Sequence, residues 1–436
     1  MIKKTLFLLS FTVLIFLGFQ LITHYKSKEK YASNFVEPQW GDSNNPVTSI
    51  LSLSESFKNK KINKEKYTRR FAKPQTRDFI SSNNDFALKM FEHLRTKNTT
   101  DENVIFSPYS LNTAFGMLYA GSKGNTAEEI ESVFGFTDAS HKELQNTASY
   151  MENLSGVTLT SANSFWIQKG FPILESYKKH MSTYDAEILH ADFRHQPKQS
   201  KKRINTWVKH KTNGLIQDLV KRIHPDTRTI LINALYFKGD WDKPFKKKLT
   251  RSDVFKSPNG NRKIDMMNQK DDFRYTHVEN KFQILDMPYK GDNVSMMILL
   301  PEENFNFSLE ELNSWHSNLD TQKVDIYFPK FEIDTSYALK EDFESLGIVD
   351  AFDIDKADFS GVSEEKLFLS KIIHKAIVKV NETGTEAAAV SATFLRAGSA
   401  MDKNKPIVFR ADRPFVFLIY EKHTKTILFI GLVNKP

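Results

Sequence analysis

The side chains that usually carry chemistry are present in this 436-residue chain but are not gathered into a catalytic pattern. Its twelve histidines are scattered, with no pair at the spacing that sets two imidazoles on one helical face, so no metal site is expected. HExxH, Walker, GxSxG and dinucleotide GxGxxG motifs are absent, and Gly121-Ser122-Lys123-Gly124 lacks phosphate-loop spacing. The chain has no cysteine, which excludes a thiol nucleophile, a zinc ribbon, an iron–sulfur cluster and a redox dithiol. A Ser-His-Asp triad is discontinuous in any sequence, and nothing favours one here. The residues therefore point away from an enzyme, and no cofactor is expected.

One segment is unusual. It runs Glu382-Thr-Gly-Thr-Glu-Ala-Ala-Ala-Val-Ser-Ala-Thr393, after a strand pattern at Ala376 to Val380 and before a stretch containing Gly398, Ser399, Asp402, Asn404 and Pro406. A loop of this length inside a compact domain is usually functional or disordered. Two readings fit it. One is an Ala-rich surface helix. In the other, strand alternation sets Thr385, Ala387, Ala389 and Ser391 on one face, all small, so that the loop can enter a crowded sheet as an added strand without a clash.

The elements that would position such a loop are legible around it. Phe86, Ala87, Met90, Phe91 and Leu94 share a helical face. Ser107 precedes Pro108 as an N-cap, Thr126 and Glu129 read as a capping box, and Gly214 ends a helix containing Ile204, Trp207 and Val208. Strands are predicted at Ile230 to Phe237, Ile284 to Tyr289, Val294 to Leu300, Val324 to Phe328, Ala376 to Val380, Ile407 to Phe409, Phe415 to Tyr420 and Ile427 to Val433. Several are apolar on both faces, as in a covered sheet. Lys290 to Asn293 and Glu421 to Thr424 read as hairpin turns.

Composition is that of a globular protein that relies on a buried core. The net charge of +8 lies at the front: residues 1–77 hold 14 Lys and Arg against 5 acids, and the remainder 47 against 48. A nucleic-acid partner is not expected for so neutral a body. Residues 5–23 form one apolar run after Lys3 and Lys4, so residues 1–23 read as a signal peptide or an uncleaved N-terminal membrane anchor, with the body secreted or facing outside the cytoplasm. Residues 24–77 read as a basic flexible linker, and 78–436 as one domain. The basic run 58–77 is either a solvated tether or a contact for a polyanion or anionic lipid.

From about Asn84 to Pro436 the chain resembles the serpins, the serine protease inhibitor family. The resemblance is carried in order by Asn103-Val-Ile-Phe-Ser-Pro-Tyr-Ser-Leu111, Ala162-Asn163, Ile204-Asn-Thr-Trp-Val208 with Thr212-Asn-Gly214, and Ile232-Asn-Ala-Leu-Tyr-Phe-Lys-Gly-Asp-Trp241. It continues through Met287-Pro-Tyr-Lys290, Phe328-Pro-Lys-Phe331, Ala357-Asp-Phe-Ser-Gly361, His374-Lys-Ala376, the Glu382 to Ala389 segment and Phe409-Arg-Ala-Asp-Arg-Pro-Phe415.

The resemblance implies a mixed α/β fold with three β-sheets, about nine helices and an exposed reactive loop near the C-terminus, acting as a suicide substrate that traps its protease. It implies a hinge at Glu382, Gly384, Thr385, Glu386, Ala387, Ala388 and Ala389; a polar cluster beneath the sheet, the shutter, at Ser107, Ser110, Asn233 and His374; and Trp241 and Lys330 at the upper end where insertion begins, the breach. Counting about sixteen residues past Glu382, as the family pattern does, sets the scissile bond at Gly398-Ser399, with Ala400, Met401 and Arg396 as alternatives. The implied partner is an elastase-, subtilisin- or trypsin-like serine protease, and the implied state a monomer. The other implied outcomes are a non-inhibitory ligand carrier or chaperone-like serpin, or an inhibitor of cysteine proteases.

Overall fold

Pro74 opens helix α1 (Pro74–Lys97), inside the stretch read as linker, and Thr76, Phe79, Ile80, Asn83, Phe86, Ala87, Met90, Phe91 and Leu94 form its buried face. The computed structural model describes residues 73–98, 102–181, 186–302, 306–385 and 405–436. The expected signal or anchor at 1–23 and nearly all of the linker lie outside the described residues. Among the described residues no helix is long and apolar enough to cross a membrane.

The chain continues through β1 (Val104–Phe106), α2 (Pro108–Tyr119), α3 (Gly124–Phe134), α4 (Ser140–Met151), β2 (Val157–Gln168), α5 (Glu175–Met181), β3 (Glu187–Ala191) and α6 (Pro197–Lys211). Then come β4 (Thr229–Asp240), β5 (Arg251–Ser257), β6 (Gly260–Val278), β7 (Phe282–Pro288), β8 (Val294–Pro301), α7 (Leu309–Ser317), β9 (Asp320–Pro329), β10 (Phe331–Ala338) and α8 (Lys340–Leu346). The last elements are β11 (Lys371–Val380), β12 (Gly384–Thr385), β13 (Ile407–Arg410), β14 (Phe415–Glu421) and β15 (Ile427–Val433).

The mixed α/β class holds, with a difference in sheet count. The strands form two sheets among the described residues, not three, and eight α-helices are present there. The reason is β6, which pairs with β5 at its start, with β9 from Met266 to Tyr275 and with β7 at its end. It thereby joins two expected sheets into one of nine strands, ordered β1-β15-β14-β8-β7-β6-β9-β13 with β5 beside β6. The second sheet is ordered β10-β11-β12-β4-β2-β3, and β11 also pairs directly with β4.

Alternation along β4 divides the core. Leu231, Leu235 and Phe237 join the large cluster that contains α1, α2 and the nine-stranded sheet, while Ile230, Ile232, Ala234 and Tyr236 face a second cluster under α6. Ser107 caps α2 as expected, accepting from Ser110 N–H at 3.1 Å. The Thr126/Glu129 box does not form, because α3 already starts at Gly124. Those two side chains serve tertiary contacts instead: Thr126 Oγ1 accepts from Asp358 N–H, and Glu129 from Val349 and Asp350 N–H. A complete capping box stands at Ser308 and Glu311.

Candidate functional site

The seam between β11 and β4 is where the predicted residues converge. The two strands run parallel and pair from Lys371↔Ile230 to Ile377↔Tyr236, with His374 opposite Asn233. Beyond Ile377 they part, and Gly384 and Thr385 occupy the gap as β12, pairing with Val380 on one side and with Asp240 and Gly239 on the other. Backbone meets backbone closely here: a Cβ on Gly384 would overlap the Gly239 carbonyl oxygen, so only glycine fits.

An aromatic and polar frame surrounds the gap. Thr385 is buried, and its hydroxyl hydrogen-bonds Tyr289 Oη at 2.7 Å. Tyr289 stacks on Trp241 with ring centroids 4.5 Å apart. Trp241 Nε1 donates to the Asn381 carbonyl at 3.0 Å, and its backbone N–H to the Thr383 carbonyl at 2.9 Å. Glu382 accepts from Thr250 Oγ1 at 2.9 Å and lies 3.4 Å from Lys330 Nζ. Burial alone would raise the Glu382 pKa; hydrogen bonds from backbone and Thr250, with the charge of Lys330, outweigh it and leave it lowered. Lys330 is itself 35% exposed in its side chain, so Lys330→Ala is expected to change unfolding free energy by less than about 1 kcal/mol. A loss several times larger in urea denaturation would show the pair to be structural.

Deeper along the seam lies a buried polar chain. Ser107 N–H donates to His374 Nε2 at 3.1 Å, so Nε2 is the unprotonated nitrogen and Nδ1–H donates to Asn233 Oδ1 at 2.6 Å. Asn233 Nδ2 donates in turn to the Ser110 carbonyl at 2.8 Å, Ser110 Oγ at 2.6 Å and Asn163 Oδ1 at 2.7 Å. With no exposure, the His374 imidazole is pushed by burial down to about 3 from its ordinary 6.5 and stays neutral. Its folded pKa lies below the unfolded value, so its stabilisation is complete above pH 6.5 and is lost as pH falls toward about 3, at about 1.4 kcal/mol per pH unit. Urea denaturation across that range checks this against His374→Gln, which is expected to flatten the slope.

Ser107, Ser110, Asn233 and His374 thus stand together, as do Glu382, Gly384, Thr385, Trp241 and Lys330. Glu386, Ala387, Ala388, Ala389, Arg396, Gly398, Ser399, Ala400 and Met401 lie outside the described residues. Asn163, Tyr289 and Thr250 belong to the same constellation but were not assigned from sequence. Asn163 and Tyr289 fall within motifs quoted above, and the signal that would have found them is cross-strand register: Asn163 sits directly opposite Asn233.

Comparison with known proteins places this geometry. The family model described as Serpin (serine protease inhibitor) matches residues 81–436. An uncharacterized serpin-like protein of Methanosarcina mazei is 38% identical over 376 residues, covering 82% of this chain and 88% of that protein. The human leukocyte elastase inhibitor is 35% identical over 378 residues, covering 82% of this chain and 99% of its own. The crystal structure of human thyroxine-binding globulin complexed with thyroxine superposes with a TM-score of 0.74 at 30% identity, covering 83% of this chain and 99% of that one.

These relatives correct the expected placement. The leukocyte elastase inhibitor is matched over 99% of its own length by 82% of this chain, and the family model begins at residue 81, so the matched domain does not draw on residues 1–23. The signal-peptide, transmembrane, secreted and extracellular assignments drawn from that apolar run are withdrawn. What the seam, the buried polar chain and the full-length match establish together is that the chain belongs to the serpin family.

Proposed function

We propose that this serpin is an inhibitor of serine-type endopeptidases acting as a suicide substrate. The observation that carries the reading is the half-open seam: β12 already lies between β11 and β4 at one end, and direct β11–β4 pairing closes the rest. Extending β12 by Glu386, Ala387, Ala388 and Ala389 requires only that this pairing part, and the small alanine side chains suit entry into a covered sheet.

In this mechanism the protease serine oxygen attacks the carbonyl before the cut, the peptide C–N bond breaks, and the new amino terminus leaves with the proton. The loop stays joined to the enzyme as an ester. Insertion of the hinge then carries that ester to the far end of the sheet and distorts the protease before water attacks it. The driving force is strand pairing and burial that the uncleaved fold lacks. Gly398-Ser399 is the assigned scissile bond, with Ala400-Met401, Met401-Asp402 and the bond after Arg396 as alternatives. The similarity to a protein named for inhibiting elastase supports an elastase-type target.

The test is incubation of the full chain with trypsin-, chymotrypsin-, elastase- and subtilisin-type proteases, followed by a denaturing gel and mass spectrometry of the C-terminal peptide. A denaturant-resistant adduct is expected, with a peptide beginning at Ser399. Loop cleavage with no adduct and an unchanged melting temperature would refute the reading and favour a ligand carrier, the role in the name of thyroxine-binding globulin.

A further inference from the structure

The histidines are scattered along the chain, but two of them meet in space. His141, in the first turn of α4, and His180, in the last turn of α5, have ring centroids 6.3 Å apart, with their planes inclined by 41°. The pair joins two helices distant in sequence, so spacing along the chain does not announce it. His180 is exposed and His141 half-buried, which leaves the pair open to ions from solvent.

Both helices are anchored. Thr76 Oγ1 in α1 donates to Glu143 Oε2 in α4 at 2.6 Å, and Tyr177 Oη in α5 donates to the Met117 carbonyl in α2 at 3.0 Å. The His141 ring is held as well: it stacks on Tyr119 with centroids 5.2 Å apart, and Tyr119 Oη donates to Glu131 Oε1 at 2.5 Å. Ligands carried on held helices keep their geometry better than ligands on loops. The Asp138 carboxylate acts on His141 electrostatically, and its negative charge favours a cation there.

We propose that His141 and His180 together bind a divalent transition-metal ion such as Zn2+ and so tie α4 to α5. An imidazole nitrogen ligates zinc at about 2.1 Å, so two rings that share one ion have centroids at most about 6.4 Å apart, and the observed separation falls within that reach. Rotation of the exposed His180 side chain shortens it toward a bent geometry. Imidazole suits Zn2+, Ni2+ and Cu2+, whereas Ca2+ and Mg2+ take oxygen donors that this pair lacks. Among the described residues no His, Asp or Glu completes a group of three, so water fills the remaining positions. Once one imidazole holds the ion the other binds it intramolecularly, which favours the pair over any single surface histidine. The assignment is independent of whether the reactive loop traps a protease.

The test uses the full chain without an affinity tag, treated with a chelator and titrated calorimetrically with Zn2+ in a non-coordinating buffer. His180→Ala, at an exposed side chain where folding is not in question, is expected to weaken the tightest binding step about tenfold or more, since losing even an outer-shell partner of a metal typically costs that much. His141→Gln is expected to do the same. His224→Ala and His277→Ala remove histidines that each face one carboxylate, Asp226 and Glu302, and are expected to leave the affinity within about twofold. With Cu2+ as the probe, electron paramagnetic resonance is expected to show coupling to two imidazole nitrogens in the parent and to one in His180→Ala. Zn2+ affinity unchanged by His180→Ala overturns the assignment. So does an equal loss in either control, or a Cu2+ spectrum identical in parent and His180→Ala.

Discussion

If the chain traps a protease as proposed, the Thr385→Arg variant is expected to be cleaved by that protease and to release it. Thr385 heads the strand that would insert; it is fully buried, paired with Val380 and Gly239, with its hydroxyl against Tyr289. A guanidinium there would be desolvated with no carboxylate to receive it, a cost of several kcal/mol. The substitution is therefore expected to expel β12 from the seam, and a penalty of about 3 kcal/mol on its re-entry slows insertion about 100-fold. Hydrolysis of the ester then overtakes trapping, and the yield of denaturant-resistant adduct falls accordingly while loop cleavage continues. Thr385→Ser keeps the hydroxyl and is expected to trap normally. Adduct yields indistinguishable between the arginine variant and the parent would mean that the strand does not enter from this end.

The largest loss of stability is expected from Asn233→Ala. Asn233 is the hub of the seam: it accepts from His374 and donates to Ser110 and Asn163, all inside a site with no solvent exposure at Asn233 or His374. Truncation strands His374 Nδ1–H, Ser110 Oγ and Asn163 Oδ1 together. Each unsatisfied buried group costs about 1–3 kcal/mol, so a total near 4 kcal/mol is expected in urea denaturation at neutral pH. Asn233→Ala combined with His374→Gln should lose less than the sum of the two single changes, because both remove the same hydrogen bond. Strict additivity would argue against the chain of bonds as drawn.

Much of this arrangement was legible because the central strands are apolar on both faces. Ile230 to Phe237 and Phe415 to Tyr420 announce themselves by unbroken hydrophobic runs. Strand β6 does not. Its Asn, Lys, Asp and Arg residues give no clean alternation, and it becomes a long strand because β5, β7 and β9 all pair with it. The fusion of two sheets into one therefore could not be read locally. Thr126 and Glu129 misled for a related reason: a capping-box spacing was present, but their oxygens are claimed by backbone N–H groups more than two hundred residues away. At the site, motifs located Ser107, Asn233, His374 and Trp241, whereas Asn163 and Tyr289 became partners only through strand register and ring stacking.

The two ends of the loop are tied into different sheets. Thr385 belongs to the six-stranded sheet, and Ile407 begins β13, paired with β9 at the edge of the nine-stranded one. Everything after the loop stays embedded there: β14 is held between β8 and β15, β15 between β14 and β1, and both are buried along their whole length. A cut anywhere between the two ends would thus make a two-piece protein and not a shortened one. The small C-terminal piece would behave as a subunit whose residence is set by the stability of the entire sheet, leaving only when the fold is lost.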